Sequence, residues 1–235
     1  SSRIMLKSAG FEKRFEEVNL KAVNSALKAR EETGYKDVII AGSISHRYPI
    51  ADGDTKSNAS IQVSKLELQE ATEEMALLLT NNGCDIILLE MMYRPERMKI
   101  IFDIVKKLNI PIWVCFSCRK SDKGEILSLT DETVVPFSEM IAISKEYNFD
   151  AWGIMHTSED ILGECINMVK ANFNRPILAY PDTGGWISPN WIFDSVIEPE
   201  KFKEKANGWF ALGAQIIGGC CGTSPDHIRA LATLK

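Results

Sequence analysis

The fold is indicated most clearly by residues 151–160, which read Ala-Trp-Gly-Ile-Met-His-Thr-Ser-Glu-Asp. The first seven residues form a nearly continuous apolar run, as in a strand that is buried on both faces of a parallel sheet. Ser158, Glu159 and Asp160 then supply the polar and acidic side chains that favour the start of a helix. This stretch therefore predicts a β-strand followed directly by an α-helix.

The same strand and helix pattern recurs along the chain. Apolar runs that predict strands are Val38–Ile44, Ile86–Met91, Pro111–Cys118, Ala151–Thr157, Pro176–Tyr180 and Ala214–Cys221. Helical patterns cover about 60–82, 93–109, 136–148, 158–173, 198–212 and 224–234, and an opening helix covers about 11–33. Strands that alternate with helices predict βαβ units and a parallel sheet.

The length of the repeating unit favours a (β/α)8 barrel of the TIM type. Six units of roughly 31 residues have the spacing of a full barrel of about 250 residues. Six strands do not close that barrel, and the chain opens on a helix, so we expect strands 3–8 in one incomplete domain over residues 1–235, without the first two strands. An open doubly wound sheet is the alternative, but no Gly-x-Gly-x-x-Gly fingerprint follows any strand.

Composition and charge narrow the possible partners. The hydrophobic fraction is 45% and the charged fraction is 25%, as in an ordinary globular protein. The net charge of −5 argues against nucleic acid or an anionic membrane as the main partner. The chain has no apolar run long enough for a membrane span and no signal peptide pattern, so we expect a cytoplasmic protein whose six cysteines are thiols or metal ligands.

Two adjacent cysteines form the strongest candidate for a chemical site. Cys220 and Cys221 end the last predicted strand, between Gly219 and Gly222. Neighbouring side chains of a regular strand point to opposite faces, whereas a bend that glycine permits can turn both thiols toward one point. A disulfide between adjacent cysteines would need strained geometry. We interpret the pair as metal ligands, and the alternative is two small buried residues.

His156 is the expected third ligand, with zinc as the metal. Catalytic zinc has three protein ligands and one open position. His156 stands at the end of its strand, which is the end where barrel enzymes keep their active sites. A histidine with a structural hydrogen bond is the alternative. The remaining cysteines are in unsuitable places on strands or within a helix, namely Cys84, Cys115, Cys118 and Cys165.

The chain resembles the homocysteine S-methyltransferase family over nearly its whole length. The matching segments are Ala41-Gly42-Ser43-Ile44, Leu88-Leu89-Glu90, Pro111-Ile112-Trp113-Val114, Tyr180-Pro181-Asp182 and, most specifically, Gly-Gly-Cys-Cys-Gly-Thr-Ser-Pro at 218–225. The resemblance implies a (β/α)8 barrel in which three cysteines bind zinc and zinc binds the homocysteine sulfur. Two of those cysteines correspond to Cys220 and Cys221.

The resemblance also implies substrate-binding residues. Glu90 resembles the family carboxylate that binds the amino group of the substrate, and a strand-end ion pair is the alternative. Ser43, Asp182 and Gly219 are further candidates for substrate binding because of their positions at strand ends. An ordinary turn or capping role is the alternative for these three residues.

Several positions depart from the family pattern. The family's third cysteine, which follows an asparagine, is His156 after Met155 in this chain, and its Glu-Thr is Glu90-Met91. Its Tyr-Pro-Asn ends in Asp182 here. The family's first strand, with Asp-Gly-Gly, and its second strand, with Thr-Asn-Thr, have no counterpart.

The expected activity is transfer of a methyl group from an onium donor to the thiol of homocysteine, which gives methionine. S-methylmethionine, S-adenosylmethionine, betaine and similar onium compounds are possible donors, and zinc is the implied cofactor. The partners are therefore two small molecules. A hydrolase in which zinc activates water is one alternative, and a non-catalytic barrel that acts as a binding protein is another.

Overall fold

The structure is a computed structural model, which describes residues 1–45, 63–130, 133–187, 190–192 and 196–234. Parallel strands and helices alternate over these ranges, so the predicted α/β class is confirmed. The chain divides into two compact units. The first consists of Ser1–Glu90 and Glu96–Trp113, and the second of Met91–Pro95 and Val114–Lys235.

The bounds of the elements follow in chain order. The α-helices are α1 Arg3–Ser8, α2 Phe15–Thr33, α3 Lys65–Asn81, α4 Pro95–Val105, α5 Phe137–Ser144, α6 Leu162–Lys170, α7 Pro199–Leu212 and α8 Pro225–Leu231. The strands are β1 Ala41–Ser45, β2 Ile86–Met92, β3 Ile112–Phe116, β4 Cys118–Lys120, β5 Ile126–Ser128, β6 Ala151–Ser158, β7 Ile177–Asp182, β8 Gly185–Ile187, β9 Asn190–Ile192 and β10 Ile216–Ile217.

In the first unit, β1 and β2 form a parallel pair with α3 packed closely on β1. Helix α3 begins at a capping box, in which Ser64 Oγ accepts from the Glu67 N–H at 3.2 Å and the Glu67 carboxylate accepts from the Ser64 N–H at 2.9 Å. Gly42 allows the close approach, because a Cβ there would lie 3.0 Å from the Leu79 side chain. The capped helix therefore lies directly against the strand that carries Ser43.

In the second unit, β6, β7 and β10 are parallel neighbours, with β7 in the middle. The buried Trp152 of β6 stacks on Phe116 at a centroid distance of 5.8 Å and on Phe173 at 4.2 Å. Next to Trp152, Gly153 leaves no room for a side chain, because a Cβ would lie 2.3 Å from the Leu178 carbonyl oxygen. This packing holds the start of β6 closely against β7, where Gly153 pairs with Leu178.

Some element boundaries differ from the sequence-based predictions. Helix α6 begins at Leu162 rather than at residue 158, because Ser158 still belongs to β6 and pairs with Asp182 of β7. The last predicted strand, Ala214–Cys221, is reduced to Ile216–Ile217, so the two cysteines lie in a loop. The first strand starts at Ala41, after residues that are about half exposed.

Several general expectations can be compared with the structure. All six cysteines are free thiols, as expected. None of the helices in the described ranges has the length and apolar character that a bilayer span requires. Closure into a (β/α)8 barrel, the single domain and the absence of the first two strands remain predictions.

Candidate metal centre

His156 lies where the regular pairing of β6 with β7 breaks. The two strands pair in register through Met155 and resume at Ser158, with an irregularity between them. His156 has a φ of 42°, in the left-handed region that residues other than glycine seldom occupy. Such a backbone costs about 1–3 kcal/mol and persists only where the surrounding structure imposes it. Because of this bend, the imidazole does not follow the regular alternation of side-chain directions along β6.

The loop after β10 carries the two cysteines and is held by hydrogen bonds to the end of β7. The Cys220 N–H donates to the Pro181 carbonyl oxygen at 3.1 Å, and the Thr183 N–H donates to the Cys221 carbonyl oxygen at 3.0 Å. The Thr223 N–H and hydroxyl both donate to the Cys220 carbonyl oxygen, at 3.2 and 2.6 Å. These backbone bonds fix both cysteines before any metal is bound.

The N-terminus of helix α8, which follows this loop, is capped by a histidine at the position where a capping box usually has a glutamate. The His227 ring accepts at Nδ1 from the Ser224 N–H at 3.0 Å, and its Nε2 lies 2.7 Å from the Ile197 carbonyl oxygen. This arrangement fits Nδ1 as an acceptor and Nε2 as the donor to Ile197. His227 is 4% exposed, and its hydrogen bonds give it a structural role in helix capping.

Gly222 cannot be replaced without cost, both because of its backbone conformation and because its surroundings leave no room for a side chain. Its φ is 83°, and a Cβ there would lie 2.8 Å from Thr183 Oγ1 and 2.9 Å from the Gly184 nitrogen. We expect Gly222→Ala to lower the free energy of unfolding by about 2 kcal/mol or more and to weaken zinc binding. Chemical denaturation and zinc titration would measure the two effects.

The matched control for this substitution is Gly124→Ala. Gly124 has nearly the same φ, 85°, but a Cβ there would meet only the Lys120 side chain, at 3.9 Å. This control should therefore lose only about 1 kcal/mol, the strain of the backbone itself, and should keep its zinc affinity. Equal losses in the two variants would contradict the steric explanation.

The three predicted metal ligands converge. His156 Nδ1 lies 3.7 Å from the sulfur of Cys220 and 3.7 Å from the sulfur of Cys221, and the two sulfurs are 3.8 Å apart. Among the residues that the structure describes, these three are the one set of three or more His, Cys, Asp or Glu side chains whose potential ligand atoms all lie within 4.8 Å of one another.

These distances fit a tetrahedral zinc ion. With bonds of about 2.3 Å to sulfur and about 2.0–2.1 Å to nitrogen, tetrahedral angles place two sulfur ligands roughly 3.8 Å apart and a sulfur and a nitrogen roughly 3.6 Å apart. All three side chains are partly buried, with an exposed fraction of 20% for His156. The soft thiol pair with one imidazole is also a ligand set that zinc prefers.

The thiol protons oppose metal binding at low pH. The neighbouring Cys221 thiol and burial raise the pKa of the Cys220 thiol well above its ordinary value, although the adjacent His156 acts in the opposite direction. Thiols are in any case mostly protonated near neutral pH, and zinc binds the thiolate. A zinc ion that bound to both sulfurs would therefore displace protons from this site.

We expect zinc binding at pH 7 to release about two protons, one from each cysteine, so that the affinity rises steeply with pH. Calorimetry in buffers of different ionisation enthalpy would count the protons. The variant Cys220→Ser should release about one proton fewer than the wild type. Release of no protons by the wild type would contradict thiolate ligation.

Asp182, a predicted substrate-binding residue, lies beside the metal ligands. Its Oδ2 is 3.5 Å from His156 Nδ1, and its Oδ1 accepts from the Gly184 N–H at 3.0 Å. Burial raises the pKa of the Asp182 carboxyl, and the Gly184 N–H and His156 partly oppose that shift. Sequence reasoning placed Asp182 at a strand end but did not predict its contact with His156.

The other predicted substrate residues have different surroundings. In the first unit, the Ser43 hydroxyl donates to the Glu90 carboxylate, from the neighbouring strand. In the second unit, Gly219 lies directly against Thr223, because a Cβ at that position would lie 2.4 Å from Thr223 Oγ1. Thr183 and Thr223, which anchor the cysteine loop, were not recognised as important from the sequence. The substrate-binding roles of Ser43, Glu90 and Gly219 remain predictions.

Together, the fold and the site define an α/β protein with parallel strands and a candidate metal centre of two thiols and an imidazole. The sequence model of the homocysteine S-methyltransferase family matches residues 1–234. The chain therefore belongs to the homocysteine S-methyltransferase family, as its sequence motifs predict.

Individual relatives agree with this assignment. The chain is 25% identical over 229 residues to homocysteine S-methyltransferase 1 of Arabidopsis thaliana, which covers 90% of this chain and 68% of that protein. It is 24% identical over 206 residues to selenocysteine methyltransferase of Astragalus bisulcatus, with 83% of this chain and 58% of that protein covered. The chain thus spans 58 to 68% of the length of these two relatives.

A solved structure shares the fold. The metallated form of the homocysteine methyltransferase MmuM from Escherichia coli matches with a TM-score of 0.74 over 98% of this chain and 75% of that chain. The sequences are 19% identical over the match. The likeness establishes a common fold for the two chains.

Proposed function

We propose that this chain catalyses zinc-dependent transfer of a methyl group from an onium donor to the thiol of homocysteine, with methionine as the product. The observation that carries the proposal is the mutual spacing of His156 Nδ1 and the sulfurs of Cys220 and Cys221, at 3.7, 3.7 and 3.8 Å. Membership of the homocysteine S-methyltransferase family supports the same activity.

His156, Cys220 and Cys221 would hold the metal. When bound, zinc lowers the pKa of a coordinated thiol, so that the thiol reacts as a thiolate at neutral pH. The bond from the Cys220 N–H to the Pro181 carbonyl oxygen and the bond from the Thr183 N–H to the Cys221 carbonyl oxygen keep the two cysteines in place without the metal, so little reorganisation accompanies binding. The partial burial of the three side chains limits the access of water to these candidate ligands.

The substrate chemistry requires a nucleophilic sulfur and a cationic donor. A bond forms between the thiol sulfur and the methyl carbon as the bond from that carbon to the positive sulfur or nitrogen of the donor breaks. The thiol loses its proton, and the donor leaves as a neutral group. We propose that Glu90 binds the substrate ammonium group and that the Ser43 hydroxyl orients the Glu90 carboxylate through their hydrogen bond.

The test is a metal analysis combined with a methyl transfer assay on the purified chain. We expect about one zinc per chain. Methionine should form from homocysteine with S-methylmethionine, S-adenosylmethionine or betaine, and activity should be lost with a chelator and restored by zinc. Selenocysteine should be tested as a second acceptor, because one relative is named a selenocysteine methyltransferase.

Three results would contradict the proposal in different ways. A chain that binds zinc but transfers no methyl group from any donor would be a binding protein. If the purified chain contains no zinc and binds none on titration, zinc has no part in its activity. Transfer that survives complete removal of zinc would likewise show that the metal is not needed.

A further inference from the structure

A β-bulge in β6 contains the histidine of the candidate metal centre. The pairing of β6 with β7 skips from Met155 to Ser158, so two residues of β6, His156 and Thr157, stand opposite Pro181 alone. A bulge of this kind bends the strand and re-aims a side chain. Because proline has no N–H, Pro181 can donate no hydrogen bond to β6 at this point. Other hydrogen bonds must therefore hold the bulge in shape.

The hydroxyl group of Thr157 makes two such hydrogen bonds. Thr157 Oγ1 donates to the Met155 carbonyl oxygen at 2.8 Å, which spans His156, and it accepts from the Cys118 N–H at 2.9 Å. Thr157 is only 2% exposed, so water has little access to either bond. One buried hydroxyl thus closes the bulge around His156 and ties it to the start of β4.

The residue before Cys118 contacts the other side of the bulge. The buried Ser117 hydroxyl donates to the sulfur of Met155 at 3.3 Å. A thioether sulfur is a weak acceptor, so the two bonds of the Thr157 hydroxyl are the stronger restraint. Between these contacts His156 has a φ of 42°, a conformation that persists only where its surroundings impose it.

We propose that Thr157 is a positioning residue for the metal centre, because its hydroxyl holds the bulge that points His156 at Cys220 and Cys221. This inference rests on the proposed function, since it assumes a metal at this site. The hydroxyl is already bonded to Met155 and Cys118. Thr157 therefore acts through the direction of the imidazole and not as a ligand.

Loss of the hydroxyl should release one ligand and keep the other two. The Met155 carbonyl oxygen and the Cys118 N–H would each lose a buried partner, and the left-handed backbone at His156 would no longer be imposed. The cysteine loop would stay in place, because it is held by its backbone bonds to the end of β7. The metal would then be bound by the two sulfurs without the imidazole.

The test is a double-mutant cycle in the full chain with Co²⁺, whose visible absorption reports its ligands. The variants are Thr157→Val, which keeps the shape and removes the hydroxyl, His156→Ala, and the two together. We expect Thr157→Val to weaken Co²⁺ binding about 10- to 100-fold and to change the visible spectrum in the same direction as His156→Ala. In the His156→Ala background the same change should weaken binding by less than about twofold, because the ligand through which it acts is already gone.

Two further variants separate positioning from a general effect on stability. Thr157→Ser keeps the hydroxyl and should restore the Co²⁺ affinity of the wild type. The matched control is Thr72→Val, since Thr72 is also buried, at 4% exposed, and its hydroxyl donates to the Leu68 carbonyl oxygen at 2.7 Å. This control should leave Co²⁺ binding unchanged, because that bond lies within helix α3 of the first unit.

The outcomes distinguish this inference from the function on which it rests. An unchanged Co²⁺ affinity in Thr157→Val, an equal loss in Thr157→Ser, or the same loss with and without His156 would overturn the positioning role and leave the metal-dependent function standing. A wild-type chain that binds neither Co²⁺ nor Zn²⁺ would overturn both. Thr157→Ala should lose as much affinity as Thr157→Val, and it replaces that variant in the cycle if thermal unfolding shows that Thr157→Val does not fold.

Discussion

Replacing Cys221 by serine is expected to lower the zinc affinity roughly 100- to 1,000-fold and to reduce methyl transfer accordingly. Structural zinc sites bind with about 10–16 kcal/mol, so each of four ligands accounts for roughly 2.5–4 kcal/mol, and about 1.4 kcal/mol corresponds to a factor of ten. The serine hydroxyl is nearly the same size as the thiol, but it stays protonated and binds zinc poorly. Competition with a chromophoric chelator would measure the affinity.

The control for this prediction is Cys84→Ser. Cys84 is a buried free thiol in the first unit, whereas Cys221 belongs to the second unit. This variant should lose some stability, because a buried polar group replaces a sulfur, but should keep its zinc affinity. The prediction for Cys221 would be wrong if the two variants lost zinc affinity to the same extent.

Replacing Gly153 by alanine is expected to destabilise the chain by about 3 kcal/mol or more, or to prevent folding. The added Cβ would lie 2.3 Å from the Leu178 carbonyl oxygen and 2.7 Å from the Leu178 Cα. Both are backbone atoms of the neighbouring strand, so no side-chain rotation can relieve the clash. Denaturant unfolding would measure the loss.

The control for this second prediction is Gly208→Ala. Gly208 lies inside helix α7, and a Cβ there would meet no atom within 4 Å. Alanine loses less backbone entropy on folding than glycine, so this variant should gain about 0.5–1 kcal/mol. A similar loss of stability in both variants would count against close packing between β6 and β7 as the cause.

The alternation of strands and helices could be predicted because burial leaves a direct pattern in the sequence. The strands at Ile86 and Ala151 begin at the predicted residues, since both are continuous apolar runs enclosed on both faces. The same signal misplaced the start of the first strand, because Val38 and Ile39 are apolar but 50% and 51% exposed. Hydrophobicity alone does not distinguish a strand from an apolar loop that precedes it.

Short elements left too little pattern to be predicted. Helix α1 has no buried residue, so no apolar face marks it in the sequence. The hairpin of β4 and β5 pairs Cys118 with Ser128 through strands of three residues each, which is too short for alternation to be read. Residues 46–62, which follow β1 and precede α3, lie outside the described residues.

The convergence of the three candidate metal ligands could be predicted because the carboxyl ends of parallel strands lie at one edge of a sheet. That rule places His156, near the end of β6, close to the two cysteines after β10, and the three side chains do converge. The contact of Asp182 with His156 could not be predicted, because it depends on the direction of two side chains near an irregular stretch of pairing.

The left-handed backbone at His156 restricts how the ligand set can change during evolution. Histidine, asparagine and aspartate are enriched among the residues other than glycine that adopt positive φ, whereas β-branched residues avoid it. We therefore expect that aspartate could replace His156 as a ligand without a rearrangement of β6. Valine or threonine would favour a regular strand at this position and move the side chain away from the two cysteines. The backbone conformation therefore limits which amino acids can occupy this position, independently of their affinity for a metal.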